Sequence, residues 1–173
     1  MMLRGGCVMM AFAGLSACMS VTAPPEAMSF AAVADVAEVA AAPKADLTIP
    51  LHANETPQLR ALIQKYAALY DIPETLLHRV IIRESTHNPG ARNGPYYGLM
   101  QILPETARGM GFTGKASDLL DAETNLKYAG KYLRGAWLLS DGSEATAVKW
   151  YSRGYYYEAK RRGMLVETGL RKA

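Results

Sequence analysis

Cysteine is nearly absent from this chain. Its 173 residues hold two, Cys7 and Cys18, both near the N-terminus. Long apolar runs are missing as well: the stretch from Gly5 to Leu15 is too short to span a bilayer. Charge of one sign is scarce. A formal net charge of +3 without a basic stripe excludes the strongly cationic class of nucleic-acid binders. No period-two alternation and no internal repeat is visible, which argues against a sheet protein or a solenoid. The three histidines, His52, His78 and His87, show no metal-ligand spacing. What is present is apolar residue: half of the chain, enough for one domain with a real core.

The first twenty residues, MMLRGGCVMMAFAGLSACMS, combine a positive Arg4, a short apolar stretch and the small residues Leu15-Ser16-Ala17 before Cys18. That is the layout of an export signal. The stretch Leu15 to Cys18 resembles the lipobox of bacterial lipoproteins, which implies a signal peptide over 1–17 and a lipid on Cys18. The alternative is an ordinary secretion signal cut near Ala17 or Ala23. With Cys18 lipidated, no thiol remains for a disulfide or for cysteine-based metal or redox chemistry, and packing alone must hold the domain. Residues 18–50 are rich in Ala and Pro with few large side chains, so they bury too little surface to offset their ordering entropy and read as a tether.

The folded domain is expected over 51–173. Thr56-Pro57 is an N-cap followed by proline at the first helical position. Leu59, Leu62, Ile63, Tyr66 and Tyr70 recur at helical spacing, and Ile72-Pro73 restarts a second helix. A loop follows from about Thr86 to Tyr97. Pro104 opens a short helix that ends at the glycines of GMGF. Asp121 to Leu139 reads as a long helix with Leu126, Ala129, Leu133, Ala136 and Trp137 inward. Ser143 caps another, and a last one runs from Tyr156 to Arg162. The expected class is all-α.

Glu84 stands out. Leu77, Val80, Ile81 and Glu84 fall at i, i+3, i+4 and i+7, which puts an acid on the apolar face at the end of a helix. Desolvation and the negative end of the helix dipole both disfavour its anion. A carboxyl kept protonated near neutral pH suits general-acid cleavage of a glycosidic bond. The structural alternative is a buried glutamate paired with Arg79 or Arg83.

Four segments occur in order: LLHRVIIRESTHNPGA, YGLMQILPETA, NLKYAGKYL and WYSRG. Together they resemble the catalytic domain of soluble-type lytic transglycosylases, over roughly 51–165. The resemblance implies a lysozyme-like helical fold with a substrate cleft. It implies Glu84 as the single catalytic acid and Ser85 as a residue that orients the site, with Asn88 and Pro89 shaping the turn. Gly98, Met100 and Gln101 belong to a strip that lines the cleft, Gln101 as a sugar contact. Asn125, Ala129, Tyr132 and Leu133 match a structural helix, and Tyr151 is the tyrosine whose hydroxyl lies near the acid. Tyr96 and Tyr97 are wall candidates, as is at least one of Tyr155 to Tyr157, with Tyr156 foremost. The Arg92–Tyr97 loop is one residue short of the common form and carries Arg92-Asn93 where a serine is usual. Ser152 and Arg153 replace Asn and Ala.

The implied reaction cleaves the β-1,4 bond between MurNAc and GlcNAc with a 1,6-anhydro product and no cofactor or metal. Glycosidases ordinarily use two carboxylates, and no second acid pairs with Glu84 by any motif. Asp118, Asp121 and Glu123 read as a helix N-terminal cluster. The rivals are a hydrolase resembling goose-type lysozymes and a non-catalytic peptidoglycan-binding lipoprotein. The expected partners are glycan strands and, through Cys18, a membrane. The expected site is the periplasmic face of the outer membrane, because Met19 and Ser20 lack the Asp that signals inner-membrane retention, and the expected state is a monomer.

Overall fold

A computed structural model describes residues 45, 46 and 48–172. Cys18, the expected signal peptide and most of the expected tether lie outside the described residues. Among those described, six α-helices carry the fold: α1 (Pro57–Tyr70), α2 (Glu74–Glu84), α3 (Pro104–Gly109), α4 (Ala122–Leu138), α5 (Glu144–Arg153) and α6 (Tyr156–Arg162). The helical expectation holds, and side-chain caps mark the starts of α1, α4 and α5. Thr56 accepts from the Leu59 N–H, Asp121 from Thr124 and Ser143 from Thr146.

Helix α4 is the hub, packed by α1, α5 and α3. Its stripe of Leu126, Ala129, Leu133 and Ala136 is fully buried, opposite Ile63 of α1 and Leu76, Leu77, Val80 and Ile81 of α2 within one continuous core. Each fully buried aliphatic side chain of this kind contributes about 1.5–3 kcal/mol over its exposed state.

Two features depart from the sequence reading. The loop after α2 contains a short antiparallel hairpin, β1 (Arg92–Asn93) with β2 (Tyr96–Tyr97). Two-residue strands are too short to show alternation, so periodicity cannot reveal them. Contacts to the domain also begin before Leu51. Asp46 N–H donates to Gln64 Oε1, and the Ile49 and Pro50 carbonyls accept from Arg60. Residue 46 and residues 48–55 thus belong to a strap laid across α1.

Candidate active site

Glu84 is the last residue of α2. Leu77, Val80 and Ile81, one and two turns earlier, are completely buried, so the same face carries Glu84 to the edge of the core. Its side chain is 24% exposed, enough to meet a ligand while losing much of its hydration. Burial raises its pKa above the ordinary carboxylate value, and the Arg83 charge only partly offsets this. Neither arginine neutralises it closely. Arg83 Nε stands 3.7 Å away, beyond hydrogen-bond range, and Arg79 faces Glu144 instead.

A cavity of about 370 Å³ opens beside this carboxyl, and a second of about 260 Å³ adjoins it. They share Tyr96, Gln101, Tyr151 and Ser152 and so form one groove. Arg83, Glu84 and Asn93 line one end, and Leu103, Thr106, Tyr132 and Arg153 the other. Among the described residues, Glu84 is the one carboxylate lining either cavity.

Tyr151 donates its hydroxyl to the Met100 carbonyl at 2.8 Å. Burial, and after it the Glu84 charge, push its phenol well above the usual range, so it stays a neutral donor. Ser85 caps α2 and donates to the Leu99 carbonyl at 2.7 Å, tying the helix end to the strip. Asn88 Oδ1 accepts from the Gly90 N–H and closes a local turn.

The strip itself is a structural floor. Gly98 has φ +73°, and a Cβ there would lie 2.2 Å from the Leu119 carbonyl and 2.3 Å from Asn125 Nδ2. Only glycine fits. Asn125, fully buried on α4, donates to the Tyr97 and Leu119 carbonyls at 2.9 and 2.8 Å and accepts the Met100 N–H at 3.0 Å. Met100 is 0% exposed, so its side chain belongs to the core and offers no sugar contact; its carbonyl serves as the anchor for Tyr151. Gln101 lines the groove, with its amide protons given to the Gly98 and Ala91 carbonyls. Its amide oxygen is the group with bonding capacity to spare.

The tyrosines divide differently from the sequence reading. Tyr96, 42% exposed, forms the wall, whereas Tyr97 packs on the core beneath Arg92, whose guanidinium lies 4.8 Å from the ring centre. Tyr156 is not among the residues lining the groove; it meets Tyr157 edge-on at the surface. Tyr155 is buried and donates to the Tyr132 carbonyl. The basic run beyond is paired surface, with Arg161 on Glu158 and Arg162 on Glu158 and Asp141. Sequence reasoning missed Asn125 as a clamp. Three backbone bonds at one buried amide cannot be read from spacing.

It also missed a cluster behind the helix end. His78 Nδ1 and His87 Nε2 are 3.0 Å apart, and the His52 ring stacks on His87 at 5.1 Å. His52, Glu55 and His78 bring one donor atom each within 4.8 Å of one another. The separation along the chain hid this grouping. As a metal site it is poor, because both oxygens of Glu55 already accept from Arg60, at 2.7 and 2.8 Å, and one also takes the His52 N–H. A fixed guanidinium on the carboxylate opposes a second cation there.

With that geometry in hand, the comparisons are decisive about kinship. The model of the transglycosylase SLT domain matches residues 61–162. The chain belongs to the transglycosylase SLT-domain family. That match runs from within α1 to the end of α6 and contains every groove residue named above. Among solved structures, the 70 kDa soluble lytic transglycosylase SLT70 from Escherichia coli aligns at a TM-score of 0.50 and 23% identity. The alignment covers 65% of this chain and 20% of that one. It supports the shared helical fold, and this chain spans about a fifth of that larger protein.

Proposed function

We propose that the protein is an exported peptidoglycan lytic transglycosylase acting as a monomer, without cofactor, on MurNAc–GlcNAc bonds, with Glu84 as acid and then base. The observation that carries this reading is a half-buried carboxyl with a raised pKa, alone of its kind in a groove lined by tyrosines and amides. Protonated Glu84 gives its proton to the bridging oxygen as the bond to MurNAc C1 breaks. The resulting carboxylate takes the proton of the C6 hydroxyl of the same sugar, and O6 bonds to C1. The nucleophile comes with the substrate, so no second enzyme carboxylate is required, and an intramolecular hydroxyl has an effective molarity far above that of a bimolecular partner. Ser85 ties the strip to the end of α2 and Tyr151 ties it to α5, Gln101 offers an acceptor for a sugar hydroxyl, and Tyr96 offers an apolar face.

The test is a digest of purified peptidoglycan followed by mass spectrometry. Anhydro-muropeptides that vanish with Glu84→Gln support the proposal. Reducing ends would favour a hydrolase, and unchanged release by the variant would remove Glu84 from the mechanism. The lipobox-like Leu15 to Cys18 supports a lipid anchor and outer-membrane residence. Mass analysis of the mature N-terminus, with Cys18→Ala as control, decides that part.

A further inference from the structure

The turn that follows Glu84 is held in an unfavourable conformation by groups brought from elsewhere. Thr86 and His87 have φ of 51° and 62°, two consecutive non-glycine residues in the left-handed region, one of them β-branched. Such a pair persists only when its surroundings over-determine it. Three restraints do so. Asn54 of the strap donates to the Thr86 carbonyl at 3.1 Å. The His52 ring lies flat on His87, with planes 10° apart. His87, 1% exposed, meets His78 of α2 nitrogen to nitrogen at 3.0 Å.

The tautomers follow from the partners. His78 Nε2 lies 3.3 Å from Glu74 Oε1 and donates to it. Its Nδ1 is therefore an acceptor, and His87 Nε2–H donates to it. His87 Nδ1 is left bare and buried, with no partner. The charged groups facing the cluster are Glu55 of the strap, Arg60 of α1 and Glu74 of α2.

We infer that His87, locked by His78 and by the strap residues His52 and Asn54, is a positioning residue that fixes the helix end carrying Glu84. The inference rests on the catalytic reading of Glu84 given above. The lock works with one proton per ring. A second proton on His78 would set two N–H groups head-on across 3.0 Å, and one on His87 would sit on Nδ1, where no acceptor meets it. Burial pushes His87 down to about 4 and also lowers His78, so the lock is intact at neutral pH and opens in acid.

The experiment compares His87→Phe, His87→Gln and Asn54→Gly with wild type, using kcat and KM on purified glycan strands and a thermal melt for each. Phenylalanine keeps the ring and deletes the donor; glutamine restores an amide donor near the same place. Glycine at 54 removes the side chain while tolerating the positive φ of that residue. A loosened helix end should cost about tenfold in kcat for His87→Phe and about threefold for Asn54→Gly, with KM nearly constant. His87→Gln should recover most of the loss and lack the acid limb of the wild-type profile near pH 4. A His87→Phe enzyme within twofold of wild type, or a glutamine variant no better than phenylalanine, overturns the inference. If His87→Phe does not fold, Asn54→Gly decides, and an unchanged kcat overturns it. Should Glu84→Gln prove fully active, the catalytic reading fails separately. The lock is then judged by carbon NMR of the Glu84 carboxyl, whose titration midpoint should fall toward the ordinary range in the His87 or Asn54 variant and overturns the inference if unmoved.

Discussion

Glu55 and Glu84 are the same residue in opposite circumstances. Glu55 sits in the strap with its side chain wholly buried; Glu84 sits at the end of α2, partly open to the groove. Burial alone would raise both. At Glu55, desolvation is outweighed by the Arg60 hydrogen bonds, the His52 N–H and neighbouring positive charge, and the carboxyl is held at about 2. At Glu84 no donor among the described residues closes on the carboxyl, and desolvation wins. The supply of partners, more than depth, separates an acid held ionised from one inclined to keep its proton. The structural alternative raised for Glu84 describes Glu55 instead.

The largest test of this contrast is on activity. Glu84→Gln should lower anhydro-muropeptide release by about 10²–10⁴-fold, the usual worth of a positioned general acid. A small loss would make the two glutamates equivalent and break the comparison. The next is on stability. Arg60→Met strands the Glu55 charge and should cost about 3–5 kcal/mol in chemical unfolding, much of it recovered by replacing both partners with leucine. A smaller effect follows for Tyr151→Phe. Loss of its bond to the Met100 carbonyl should slow turnover about three- to tenfold, measured on the same digest.

The smallest effect is the most diagnostic, because the two acids should give opposite signs. Glu55, held below its ordinary value, adds stability above pH 4.5 that is lost as the pH falls toward 2. Glu55→Gln should flatten that slope. Glu84, held above its ordinary value, weighs against the folded state once the pH exceeds the ordinary carboxylate range. Glu84→Gln should therefore melt slightly higher than wild type at pH 7 and equally at pH 3. A lower melt at pH 7 would mean that Glu84 has stabilising partners after all.

Much of the frame was legible because its signals are local. Thr56, Asp121 and Ser143 cap their helices with bonds spanning three residues, and a spacing of seven was enough to put Glu84 beside Val80 and Ile81. What stayed hidden depends on distant segments. Arg60 interrupts an apolar helix face and reads as surface until Glu55 and the Ile49 and Pro50 carbonyls are folded over it. The histidine cluster joins positions 52, 78 and 87 through a strap whose composition resembles a tether. Tyr96 and Tyr97 are adjacent and chemically identical; a two-residue strand sends one to the groove and the other to the core.

The Asn125 clamp has one more consequence. It grips the chain at Tyr97 and Met100, while the Ala91 carbonyl is tied to Gly98 N–H and Gln101. The segment between Arg92 and Tyr96 is thus a cassette mounted between fixed points, and its length or composition can change without moving the floor. The loop is an insert in a fixed socket, and exchanging it should reshape the groove wall at Asn93 and Tyr96 while leaving Glu84 where it stands.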